Sequence, residues 1–255
     1  MGLLLIKLKK TNFYRFIWRT IKKTGFTDWI YFLRDYFEYR ENNDDRFILE
    51  WKNNWPILNE KVAHEFNRDY TYHTSWASRK IKEINPIVHH DIASDLRFVT
   101  LVSSFIPVIY LEYRPLEISL NNLETRHADI CKLSFPDNHI ECLSCLSVLE
   151  HIGLGRYGDK LNPKGDLLAI SELKRVLAFG GSLLLVVPIG YESKLQFNAH
   201  RIYSHIQIME YFSELKLIEF SLIPDNKKDG DIIHVPSDSL LKKQKMGAGC
   251  YWFKK

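Results

Sequence analysis

Along residues 88–253 short apolar runs alternate with helical patterns, and few folds accommodate that alternation. Strands are predicted over residues 88–92, 107–111, 140–148, 181–187, 217–223 and 249–253. Helices are predicted over 96–104, 166–177 and 204–212, and a polar loop region over 224–245. The run 181–187, Gly-Ser-Leu-Leu-Leu-Val-Val, has no polar alternation after Ser182. A strand of that kind is buried on both faces, as in a parallel sheet covered by helices. The expected fold class is α/β, with a Rossmann-like sheet.

The residues before this region read differently. Trp29, Tyr31, Phe32, Tyr36, Phe37 and Tyr39 recur at helical spacing, and residues 42–45 break the pattern. A second helix is predicted over 55–66. A third spans 75–84 and ends ahead of Pro86, whose ring disfavours helix at the preceding residue. Residues 1–85 are therefore expected to form a helical extension, and 86–255 the α/β domain. Within residues 1–23, Lys7, Lys9, Lys10, Arg15, Arg19, Lys22 and Lys23 interleave with apolar residues and no acid occurs. Such a basic amphipathic helix is compatible with peripheral contact at an anionic membrane. The alternative is an apolar stripe packed on its own domain.

No apolar run reaches the ~18–20 residues of a membrane span, and no signal-peptide pattern occurs. A cytoplasmic protein is expected, with membrane association through its first helix as an option. The net charge of +4 is mild, its basic residues gather at one end and no recognition module is visible, so nucleic acid is not an expected partner. Cys142 and Cys145 have CxxC spacing, but no second pair completes a zinc site and both lie in an apolar run. With Cys131 and Cys250 they make four cysteines, too few for a disulfide scaffold.

In a doubly wound sheet ligands bind at the carboxyl ends of strands, so residues just past each predicted strand carry the functional argument. Asp91 to Asp95 follow the first strand, and Glu112 ends the second. Residues 129–137 read DICKLSFPD, Ser147 to Ile152 end the next core strand, and Gly180-Gly181 open the strand to Pro188. This series resembles the class I methyltransferases that use S-adenosyl-L-methionine (SAM), in particular the type-11-like branch with an L-E-H turn. Tyr72-His73 and the stretches DLRFVTLVSSFIPV, EHIGLGRYGD, NAHRIYS and GCYWFKK resemble the bacterial and nematode family DUF268.

The resemblance implies a mostly parallel sheet with a carboxyl-terminal antiparallel strand, and SAM as cofactor. Glu112 is then placed to accept hydrogen bonds from both ribose hydroxyls. Asp129 and the backbone of Ile130 are placed at the adenine, and Ser147 at the methionine end. The usual glycine-rich first turn is absent. Asp91, Ala93, Ser94 and Asp95 stand there instead, with Ser94 and the two acids as candidate partners of the methionine moiety. Crowding at that turn leaves three readings: a shifted cofactor, weak affinity, or loss of the cofactor.

His151 is the candidate base, since imidazole titrates near neutrality; the alternative is a structural bond to backbone. Ser147 replaces the first ligand of the Glu-x-x-Glu-His metal cluster of some relatives, so no metal is expected. Arg156, Tyr157 and Asp159 lie on a glycine-rich loop. With His200, Arg201 and Tyr203 they are the candidate substrate contacts, the arginines for a phosphate or carboxylate. The expected activity is methylation on oxygen of a small molecule or of a surface-glycan sugar. The alternative is a non-catalytic binding protein on the same fold.

Overall fold

A computed structural model describes residues 26–44, 46–58 and 66–255. The chain divides into two units, Met1–Phe66 and Asn67–Lys255. In the first, α1 spans Phe26–Glu41, with Asp28 in the first turn and Arg40 in the last, both favourable to the helix dipole. A 3-10 turn, Trp51–Asn53, follows, and Tyr36 meets the Trp51 ring edge-on at 5.0 Å. Residues 55–58 are not helical, and most of the helix predicted over 55–66 lies outside the described residues, as does the basic segment 1–23.

The larger unit begins with α2, Arg68–Ile84. Asn67 caps it by accepting from the Tyr70 N–H at 3.3 Å. Asn85, in the left-handed region at φ 49°, ends it ahead of Pro86. His73, Ala77 and Ile81, four residues apart, share its buried face with Trp76. This helix was expected within the extension. It packs instead on the sheet, where Trp76, Ala77 and Ile81 meet Leu184, Val186 and Trp252, so the larger unit starts at Asn67.

The remaining elements run β1 (His89–Ile92), α3 (Leu96–Val102), β2 (Val108–Glu112), β3 (Leu123–His127), β4 (Ile140–Leu146), a 3-10 turn (Leu149–His151), α4 (Gly165–Val176), β5 (Leu177–Ile189), β6 (Lys194–Gln196), β7 (His200–Ile202), α5 (His205–Tyr211), β8 (Lys216–Ile223), β9 (Ile233–His234), α6 (Asp238–Leu241) and β10 (Gly247–Lys254). The main sheet has the order β3-β2-β1-β4-β5-β10-β8-β9, and β6-β7 form a separate hairpin. Strands β3, β2, β1, β4 and β5 are parallel, while β10, β8 and β9 each run antiparallel to a neighbour. The expected α/β sheet with a carboxyl-terminal antiparallel strand is present. β3 was not predicted: in LETRH only Leu123 is buried, so no apolar run marks it.

Side chains alternate between the two faces of β5. Leu183, Leu185 and Val187 meet Ile170 and Leu173 of α4 and Phe212. Leu184 and Val186 meet α2 and α3. Cys142 and Cys145, both buried, are three apart on β4 and so point to opposite faces, which rules out their pairing. The polypeptide reverses its winding between β1 and β4. Their carboxyl ends part there and open a crevice.

Trp76 is 2% exposed and donates from Nε1 to Glu219 Oε1 at 2.8 Å. Trp76→Ala is expected to destabilise the larger unit by about 3–5 kcal/mol in urea titrations. A loss below about 1 kcal/mol would show that α2 is not part of the core.

Candidate functional site

The crevice holds a cleft of about 360 Å³, a size suited to a small-molecule ligand. Its floor is the exit of two strands. Ala93, after β1, and Ser147, after β4, both take left-handed conformations, at φ 48° and 57°. Both line the cleft. Ala93 occupies the place where glycine was expected, and its methyl group is the smallest side chain that can stand there.

The polar residues of the first turn lie under it. Asp91 is 0% exposed. Its carboxylate accepts from the Ser94 N–H at 2.9 Å, from Ser94 Oγ at 2.7 Å and from Ser144 Oγ. Ser94 Oγ accepts in turn from the Leu146 N–H at 3.1 Å, tying the turn to β4. Burial pushes the Asp91 carboxyl up to about 6, against the pull of those donors. Asp91 and Ser94 were expected to meet the methionine moiety. The geometry commits both to the turn itself. Asp95, expected beside them, caps α3 by accepting from the Arg97 N–H at 2.8 Å and pairs with the Arg97 guanidinium at 2.9 Å. That pairing holds its carboxyl below the ordinary range.

Glu112 ends β2 and faces the cleft. Its carboxylate accepts from the Arg114 N–H at 3.2 Å and from Tyr110 OH at 3.4 Å. Four lone-pair sites on a carboxylate leave room for two more donors. Asp129 accepts from the Cys131 N–H through Oδ1 at 2.8 Å, leaving Oδ2 for a ligand. Ile92, Leu111, Ala128 and Ile130 line the same cleft and give it apolar walls. Acids with free oxygens beside apolar walls could hold a nucleoside, its hydroxyls at Glu112.

His151 lines the cleft as well. Its Nδ1 meets the Ala199 carbonyl at 2.7 Å, which places the proton on Nδ1 and the lone pair on Nε2. Burial lowers its pKa, opposed by the Ala199 bond and reinforced by Arg156. Glu150 lies beside it, with Oε1 at 3.8 Å from Nε2. Burial pushes the Glu150 carboxyl up to about 8, so it is largely protonated at neutral pH. Among the described residues its Oε2 has no hydrogen-bond partner, and neither has Nε2 of His200, whose ring lies 6.3 Å from that of His151. Unsatisfied buried polar atoms beside a free imidazole nitrogen mark a place for a polar ligand group.

The loop 153–159 arches over this end. Asp159 lines the cleft, but its carboxylate accepts from the amides of Gly153, Gly155 and Tyr157 at 2.9, 3.3 and 3.2 Å. It organises the loop. Gly153, at φ 78°, has no room for a side chain: a Cβ would lie 2.2 Å from the Asn162 carbonyl oxygen. Tyr157 lines the cleft with Arg156 and Arg114 against its ring, at 5.1 and 5.4 Å. Arg201, expected to hold substrate, donates instead to the Ile152 carbonyl at 2.7 Å and pairs with Asp166 at 3.4 Å. Tyr203, also expected there, donates to Asp166 at 3.0 Å and is 3% exposed. Both residues stabilise the wall around the cleft.

Sequence reasoning passed over Tyr113, Arg114 and Lys160, which line the cleft from loops without a motif.

A model of the family described as "Caenorhabditis protein of unknown function, DUF268" matches residues 91–246. No curated protein sequence matches the chain. Among solved structures, the 1,6-didemethyltoxoflavin-N1-methyltransferase of Burkholderia thailandensis, solved with 1,6-didemethyltoxoflavin and S-adenosylhomocysteine, aligns with a TM-score of 0.52. It is 10% identical, and the alignment covers 74% of this chain and 79% of that one. The [4+2]-cyclase SpnF aligns at 0.49 and 13% identity, over 70% of this chain and 81% of that one. YcgJ of Bacillus subtilis aligns at 0.49 and 15% identity, over 72% and 99%. The first alignment shows a shared Rossmann-like methyltransferase fold.

The protonated Glu150 has a signature in stability. Its folded pKa, about 8, lies above the unfolded value, so between pH 4.5 and 8 the folded state holds a proton that the unfolded state has released. Stability therefore falls as pH rises through that window. Glu150→Gln removes the penalty, and its Tm is expected to exceed that of the parent by roughly 5–10 °C at pH 8 and by little at pH 5. An equal difference at both pH values would refute a protonated buried carboxyl.

Proposed function

The chain belongs to the DUF268 family, and from this membership and its methyltransferase fold we propose that it is a SAM-dependent methyltransferase. The observation that carries the reading is one cleft lined both by Glu112 and Asp129 and by His151, which presents a free Nε2. When bound, SAM supplies an electrophilic methyl group on its sulfonium. Glu112 would bind the ribose, Asp129 and the backbone of Ile130 would bind the adenine, and Ala93 and Ser147 would form the floor beneath the methionine. The turn keeps its shape without glycine because Asp91 and Ser94 hold it from below, so the cofactor meets a methyl group and backbone there.

His151 accepts the proton of the acceptor at Nε2. The Ala199 carbonyl holds its tautomer, and burial, which lowers its pKa, keeps the lone pair available. The acceptor is a hydroxyl of a small molecule or of a surface-glycan sugar. Among the described residues no helix is long and apolar enough to cross a membrane. Contact with a membrane where glycans are assembled is assigned to the basic segment 1–23.

Calorimetry with S-adenosylhomocysteine tests the cofactor. Glu112→Ala is expected to weaken binding at least about tenfold, through the loss of two ribose hydrogen bonds. Absence of binding to the parent protein at millimolar ligand would leave a non-catalytic binding protein as the reading. His151→Ala is expected to leave that binding intact and, with an acceptor found by screening, to lower kcat by about 10²–10⁴. An unchanged kcat would assign His151 to structure.

A further inference from the structure

Glu112 and Asp129 line the cleft, each with an oxygen left for a ligand. Asp159 gives its carboxylate to three backbone amides. Glu150 carries little charge near neutrality because burial holds its proton. Lys160 and Arg114 line the cleft, and Arg156 reaches the Ala199 carbonyl that also orients His151, donating at 3.0 Å.

Both guanidinium groups lie against the Tyr157 ring, at 5.4 Å for Arg114 and 5.1 Å for Arg156, and that ring meets His151 edge-on at 5.7 Å. Tyr157 thereby holds both cations near the candidate base. Among the described residues neither guanidinium forms a salt bridge, whereas Arg201, two residues past the Ala199 carbonyl, is paired with Asp166. Fixed, unpaired guanidinium groups at the rim of a cleft are suited to an oxyanion, which they meet with charge-assisted bonds.

We propose that the methyl acceptor is an anion, bearing a carboxylate or phosphate group that Arg114 and Arg156 hold beside His151. This assignment deepens the reading of the cleft as a methyltransferase site and rests on it for the word acceptor. The anion site itself stands on the arginines and Tyr157.

The test uses the full-length protein in low-salt buffer at pH 7, with inorganic pyrophosphate as probe, followed by calorimetry in the presence of saturating S-adenosylhomocysteine. Pyrophosphate is expected to bind. Arg114→Gln and Arg156→Gln are each expected to weaken it about tenfold, equivalent to about 1.4 kcal/mol apiece. Lys216→Gln, at the far end of the sheet, is expected to change nothing. S-adenosylhomocysteine affinity serves as the folding control in every variant. Equal pyrophosphate binding by the double variant, or none by the parent protein, overturns the proposal. If S-adenosylhomocysteine fails to bind while pyrophosphate binds through the two arginines, the methyltransferase reading falls and the anion site stands.

Discussion

A buried chain of hydrogen bonds beneath the first turn sets the geometry of the cleft. Asp91 collects the hydroxyl protons of Ser94 and Ser144. Ser144 accepts from His89 Nε2 at 2.8 Å, and His89 Nδ1 lies 3.2 Å from Cys142 Sγ. Each donor has one acceptor if the proton of His89 sits on Nε2. Burial favours that neutral ring, pushing the imidazole down to about 3. The chain runs between β1 and β4, the two strands whose ends diverge. It fixes how far they part and turns Ala93 into the left-handed conformation. A glycine-rich turn gains its shape from backbone freedom. Here side-chain bonds impose the shape, and the polar groups that would crowd a ligand are drawn below the floor.

The same economy appears around the rest of the cleft. Asp95 is used as a helix cap, Asp159 as the anchor of a glycine loop, and Arg201 and Tyr203 as partners of Asp166. Once these are committed, few polar groups remain for ligands. Glu112 and Asp129 keep free oxygen sites, and His151, Arg156 and Arg114 remain around Tyr157.

Local patterning carried much of the fold. Continuous apolar runs announced β4 and β5, and helical spacing announced α4. The edge strand β3 escaped, because an edge with one buried side chain leaves no periodic trace. The placement of α2 escaped for another reason. Its buried face is identifiable from spacing, but the surface it covers belongs to strands that come much later in the chain, β4, β5 and β10. At the site, the strand-end positions of Glu112, Asp129, Ser147 and His151 followed from topology. Whether a polar side chain points into the cleft or away from it did not, since neighbours such as Asp91, Ser94 and Asp95 have the same composition on either side of a turn.

The sequence by itself determined the α/β class, most of the strands and helices in chain order and the strand ends where a ligand would meet the chain, because period and apolar length are local properties of a strand or helix. Only the tertiary structure decided which polar residues are free. A carboxylate or guanidinium is available to a ligand when no nearer partner has taken it, and those partners, Ser144 for Asp91 and Asp166 for Arg201, arrive from distant parts of the chain. The first turn was the doubtful point of the sequence, and packing against β4 is what made it a floor.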